Sequence, residues 1–308
     1  MSRSRALIKA QIKKRKSIHS LYRFARKTQR KSIHSLHRFT RKTDAGFAEF
    51  LSEHIAELGC RWRDRVTLRD ERGDSQCCWL ESVDDTEPLV TVRIATKDRP
   101  DLLVERAVAS AIRQTYTNIE ILVVGDGCDH RTGEALAQLS DPRIRYVNLG
   151  RSGRYPIKPW ARWHVAGTAP MNASLLLASG DWLTPCDDDD EMTDDHVEKL
   201  LRHARNNNLE LVWSKSEEVS NGSVRIIGNE RFHSVTQGSI LYSMGLSSFM
   251  YSPTCHRLGA PADQRLWARM RKAGVRMGFL DAVTYRYFPA GPAQYRCDDS
   301  AGVKDGKM

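Results

Sequence analysis

Apolar residues recur along the chain in two rhythms. Leu89 to Ala95 is β-rich, and Ile119 to Val124 is a continuous apolar run. Such a run marks a strand covered on both faces. Between them, Leu103, Val104, Ala107, Val108, Ala111 and Ile112 keep helical spacing. Asp98 is expected to cap that helix, with Pro100 in its first turn. Strand, helix and strand within about 35 residues make a βαβ unit with parallel strands. Arg143 to Leu149 predicts a third strand, and Trp182 to Thr184 a short buried one. A helix is expected from near Thr193 to about Arg205. Another runs from about Asp263 to Lys272 and stops at Gly274, with a strand around Met277 to Leu280 after it. The pattern predicts an α/β body over residues 89–290, with a tail over 291–308.

The first 88 residues read differently. The segment Arg15 to Thr28 recurs as Arg30 to Thr43, an offset of 15 residues. Ile18, Leu21 and Phe24 return as Ile33, Leu36 and Phe39, a narrow helical stripe among cations. Residues 1–43 therefore form a basic, duplicated arm, expected to be helical. Phe47, Phe50, Leu51, Ile55 and Leu58 predict a short helix over 44–59, and 60–88 reads as a connector.

Charge sharpens this division. The chain has 308 residues and a net charge of +10. Of its 48 Lys and Arg, 15 lie in residues 1–43 with no acid among them. The remaining 33 face 38 acids, a body charge of −5. The arm suits an anionic membrane surface. A solvated extension and a nucleic-acid contact are the alternatives, the last the weakest. No apolar run approaches the roughly 18–20 residues that span a bilayer. The seven cysteines are scattered without a C-x-x-C pair, which favours a reducing cytosol over a disulfide scaffold. A cytoplasmic protein, peripheral at a membrane, is the expectation.

Ligands of open α/β sheets bind beyond the carboxyl ends of the strands. That rule selects Thr96-Lys97-Asp98-Arg99 and Gly125-Asp126-Gly127-Cys128-Asp129. A carboxylate at Asp126 can accept from a base NH or a ribose hydroxyl; an Asp-Gly turn is the alternative, and the plainer one for this segment by itself. The strand at Trp182 runs into five acids, Asp187 to Glu191. Acids gathered at a strand end repel one another unless compensated. Mg²⁺ or Mn²⁺ does so directly and can hold a diphosphate. A solvated run that favours the following helix start is the alternative. Asp263 is either a helix cap or a carboxylate facing a cleft. Nothing matches a G-x-S-x-G elbow, a phosphate loop or H-E-x-x-H.

Taken together, these segments resemble the family 2 inverting glycosyltransferases of GT-A fold. Leu89 to Pro100 is similar to the family's opening strand and loop. Gln114 to Gly127 resembles Q-T-Y-x-N-x-E-I-I-V-V-D-D-G, and Asp141 to Arg145 its D-P-R-I-R segment. Asn172 falls on the Asn of A-R-N, Asp187 to Glu191 on the D-x-D run, and Leu266-Trp267 on D-L-W-L-R. Gly125, Ala95, Met171 and Ala262 depart from the usual residues. Tyr155 to Ala169 fits the pattern poorly and reads as acceptor or lid material.

The resemblance implies a GT-A-like, Rossmann-type nucleotide-binding sheet with flanking helices. It implies a nucleotide-sugar donor held by Thr96, Asp98, Asp126, Asp187 and Asp188. Asp187 and Asp189 would hold Mg²⁺ or Mn²⁺, and Asp263 would be the general base. The acceptor would be a glycan, a lipid-linked molecule or a protein, in a cell-surface polysaccharide or glycolipid pathway. Two other readings remain: a nucleotidyltransferase, and a non-catalytic GT-A-fold protein tethered through its arm to membrane or nucleic acid.

Overall fold

The computed structural model describes residues 87–289, apart from Asn221 and His233. The basic arm, the helix expected over 44–59, nearly all of the connector and the tail 291–308 lie outside the described residues.

The βαβ expectation holds. Strand β1 (Val90–Thr96), strand β2 (Ile119–Gly125) and strand β3 (Ile144–Asn148) are parallel neighbours. Helical residues 100–112, here α1, join β1 to β2, with a π-helical middle at Leu103–Val108. Helix α2 (His130–Ala137) leads to β3. Two helices follow, α3 (Pro159–Val165) and α4 (Thr168–Leu177). Strand β4 (Trp182–Asp187) then pairs in parallel with the other flank of β1.

The rest of the sheet is mixed. A two-residue β5 (Glu191–Met192) and helix α5 (His196–Asn206) precede β6 (Leu211–Ser220), β7 (Ser223–Ile227) and β8 (Ile240–Ser243). Helix α6 (Ala262–Ala273) and β9 (Met277–Tyr287) close the described fold. The strand order is β3-β2-β1-β4-β8-β6-β9-β5, with β7 on β6.

Both sheet faces are covered. Val92, Ile94, Ile121 and Val123 pack with Leu103, Val108 and Leu200 in one apolar cluster. Leu183, Leu211, Trp213 and Tyr242 pack with Leu266, Trp267 and Met270 in another. Each fully buried aliphatic side chain is worth roughly 1.5–3 kcal/mol against exposure. Helices on both faces of the sheet go with central strands that are buried along nearly their whole length.

Four expectations need correction. Asp98 does not cap α1; Arg99 holds the cap position without a side-chain bond. Asp98 has φ +51°, and its Oδ1 accepts from the Asp129 backbone N–H at 2.9 Å, tying two loops together. β4 extends past Thr184 through Pro185, where its ladder with β8 has already ended at Leu183. α5 begins at His196, because Thr193 instead donates its N–H to Thr284 of β9. β9 runs on to Tyr287, and its pairing with β6 shifts register near Ser214–Ser216, which breaks the alternation that a sequence displays.

The candidate active site

Chain order leaves β1 toward β2 on one side and β4 on the other. A crevice opens at such a reversal, beyond the strand ends. The register brings Thr96 opposite Gly125, and Ala95 opposite Asp187. A cleft of about 560 Å³ lies there. Thr96, Asp126, Asp187, Asp188, Asp189 and Asp263 all line it. Asp98 does not: it is exposed and paired with Lys97 at 3.0 Å.

Asp126 is buried at the end of β2. Its Oδ1 accepts from the Gly153 N–H at 2.7 Å and its Oδ2 from the Tyr155 hydroxyl at 2.6 Å. Ser152 Oγ donates to the Asp126 carbonyl at 2.6 Å. Burial and this carboxylate push the Tyr155 phenol well above its ordinary range, so it remains a donor. A carboxylate offers about four acceptor positions, so two remain for a ligand.

Gly125 stands where the resembled motif has an acid, and the structure gives the reason. A Cβ at this position meets Asn148 Oδ1 at 2.7 Å and Tyr146 Oη at 2.9 Å. Asn148 is itself fixed, exchanging bonds with the Cys128 backbone N–H and carbonyl at 2.9 and 2.7 Å. Gly125→Asp should therefore cost about 1–3 kcal/mol as overpacking. A lowered midpoint in denaturant unfolding checks this.

The acidic run forms a turn after β4. Asp188 is 1% exposed; Thr96 Oγ1 donates to its Oδ2 at 2.7 Å and Arg99 binds its Oδ1. Arg99 also donates to Asp189 Oδ2 at 2.7 Å. Burial pushes Asp188 up to about 7, against the pull of Arg99. Asp187 Oδ1 accepts from Gln237 Nε2 at 2.8 Å. Burial, and then the Asp189 charge, raise the Asp187 carboxyl above its usual range. Asp190 turns inward, accepting from Tyr285 Oη at 3.0 Å and the Phe288 N–H at 2.8 Å. Arg106 of α1 holds the Asp189 carbonyl at 2.7 Å.

Two facts bear on a cation here. Among the described residues, no group of three or more His, Cys, Asp or Glu makes a full protein ligand set. Mg²⁺ keeps waters and diphosphate oxygens, however, and needs only one or two carboxylates. Asp187 and Asp189, oxygen donors on the cleft wall whose mutual repulsion Arg93 and Arg99 offset only in part, fit that requirement.

Asp263 lies in the first turn of α6, and Pro261 holds the cap position. It is half-buried on the cleft wall. Burial raises its carboxyl to about 6, with the Asp187 charge adding to the shift. A carboxylate near the pH of the medium is suited to take a proton.

Sequence reasoning missed several groups. Arg93 is fully buried in β1; its guanidinium donates to Tyr251 Oη at 2.9 Å, and its charge pulls the Asp187 and Asp263 carboxyls down. A lone Arg in an apolar strand was the available signal. Gln237 gave none, and Tyr155 opens the segment that reads as acceptor or lid material, with nothing to mark it as the partner of Asp126. Asn172 does lie beside the site, but as a clasp: its amide exchanges bonds with the Tyr251 backbone N–H and carbonyl at 2.8 and 2.9 Å.

Fold and site together define a GT-A-type α/β protein. The glycosyl transferase family 2 model matches residues 91–156 and 163–262, more than half of the chain, and the chain belongs to that family. It is 32% identical over 120 residues, 38% of its length, to WcaA of Escherichia coli K12, provisionally named a colanic acid biosynthesis glycosyl transferase. It is 32% identical over 120 residues, 39% of its length, to the succinoglycan biosynthesis protein ExoO of Rhizobium meliloti. These matches span only 38% and 31% of the relatives themselves. The S. aureus TarS 1–349 structure in complex with UDP-GlcNAc superposes with a TM-score of 0.52 at 15% identity, covering 66% of this chain and 59% of that one. Among the described residues, no helix is long and apolar enough to cross a membrane.

Proposed function

We propose that the chain is a nucleotide-sugar-dependent glycosyltransferase that inverts the anomeric centre, with its transferase domain over residues 89–290. The observation that carries this reading is the convergence of Thr96, Asp126, Asp187, Asp189 and Asp263 on one cleft at the sheet's switch point. Family membership supports the same class, as do relatives named for polysaccharide biosynthesis.

Each group has a separate task. Asp126, at the end of β2, accepts from the nucleoside beside Thr96. Tyr155 and Gly153 hold that carboxylate in place. Asp187 and Asp189 are the residues to hold Mg²⁺ or Mn²⁺. The chemistry such an ion supplies when bound is neutralisation of the departing diphosphate. Asp188, locked by Thr96 and Arg99, fixes the turn that presents them. Asp263 takes the proton from an acceptor hydroxyl as its oxygen attacks the anomeric carbon. The nucleoside diphosphate leaves with the bonding electron pair, and no covalent enzyme intermediate forms. Arg93 tempers the negative charge of the floor and acts only through Asp187 and Asp263. Asp98, outside the cleft, steadies the loop of Thr96 through Asp129.

Calorimetric titration with UDP, GDP and dTDP in Mn²⁺ tests the nucleoside site. One of them should bind, and Asp126→Ala should weaken that binding about tenfold or more, the equivalent of one charged hydrogen bond. Failure of all three to bind a folded chain would contradict the reading.

A further inference from the structure

The family match leaves out residues 157–162, between its two stretches. This gap falls in a segment of unusual surface chemistry. Ile157 is 80% exposed, Trp160 50% and Trp163 37%. Positions 157, 160 and 163 are three apart, so along α3 the two tryptophans share a face. Arg151, Arg154 and Lys158 are exposed beside them. No acid occurs between residues 142 and 180. The turn Cys255–Leu258, which packs on α3, adds His256 and Arg257 and again no acid. Exposed apolar side chains are ordinarily scattered singly, so this grouping calls for a partner.

We propose that residues 151–163 dock the protein on an anionic lipid surface at the mouth of its cleft. Tryptophan favours the membrane–water interface, where its ring is apolar and its N–H remains wet. Lys and Arg next to it meet the negative lipid headgroups. An exposed aliphatic residue such as Ile157 suits acyl chains better than it suits a sugar face. The placement is fixed rather than loose. Gly153 and Tyr155 anchor the segment to Asp126, and Trp163 itself lines the cleft. A chain docked this way has its cleft at the lipid surface, within reach of an acceptor carried on a lipid. The docking stands independently of the transferase reading, because it needs no turnover.

The test uses the full chain with vesicles of brominated phosphatidylcholine, with and without about a third phosphatidylglycerol. Tryptophan emission should be quenched by the anionic vesicles and far less by the neutral ones. Trp160→Phe/Trp163→Phe should remove most of that quenching while thermal unfolding is unchanged. Arg154→Gln/Lys158→Gln should weaken it severalfold. Quenching that persists in the tryptophan variant would place another tryptophan in the lipid and overturn the proposal. So would sedimentation with vesicles without quenching, which assigns binding to the basic arm. An emission shift with soluble glycans and none with vesicles would make the patch a sugar platform and overturn it equally.

Discussion

Asp263→Asn is expected to lower turnover roughly 10²–10⁴-fold, the usual worth of a positioned general base. Donor binding should stay unchanged, since the proposal assigns the nucleoside to Asp126 and not to Asp263. The native protein should lose kcat/KM below about pH 6, where the Asp263 carboxyl takes up its proton. That acid limb should vanish from the residual activity of the variant. Stability should move the opposite way. The folded carboxyl holds a proton up to about pH 6, whereas the unfolded one releases it near 3.8. The folded state therefore binds more protons in this window, and stability falls as pH rises through it. Above pH 6 the cost is fully present, at most about 3 kcal/mol from the rise of 3.8 to about 6. The amide removes it, so the variant should be as stable as the native chain or more so at pH 7.5. A variant that loses both rate and stability would show that Asp263 holds the fold rather than the proton.

Asp187→Asn should be the second large effect. Turnover is expected to fall about 10²–10³-fold, the scale for losing one electrostatic stabiliser of a leaving group. Gln237 can still donate to the amide oxygen, so the β4 turn keeps its shape. The repulsion with Asp189 disappears, and the unfolding midpoint should rise. Activity of the native chain should require Mg²⁺ or Mn²⁺ and be abolished by EDTA. The variant should respond weakly to added metal over a wide range. Full activity in EDTA would remove the cation from the proposal and leave Arg99 as the diphosphate's partner.

The part of this architecture readable from the chain is its local part. Ile119 to Gly125 announces itself because a strand covered on both faces reads as a near-continuous apolar run, and Val90 to Thr96 through its β-branched residues. The acids after β4 and the Asp-Gly after β2 are visible because ligand loops follow strands. Asp263 was legible only through resemblance, since a helix-start Asp is ordinarily a cap. Pro185 hid the end of β4, because proline inside a strand argues against one. The register shift of β9 blurred its alternation. The remaining groups depend on distance along the chain. Arg93 meets Tyr251, Asp187 meets Gln237 and Asp126 meets Tyr155 only after the sheet has formed. No short-range pattern encodes such pairs. Gly125 belongs with them: its missing side chain is explained by Asn148 and Tyr146, both on β3.

The most direct measurement is nucleoside diphosphate release from a panel of UDP-, GDP- and dTDP-sugars in Mn²⁺, with Asp187→Ala/Asp189→Ala as the control. The account predicts metal-dependent release from one donor class, above the control by at least about two orders of magnitude. Binding of a donor without release should give way to release when lipid-linked acceptors are added. A folded chain that neither binds nor cleaves any of these donors, with any acceptor, would contradict the claim that this cleft transfers sugars.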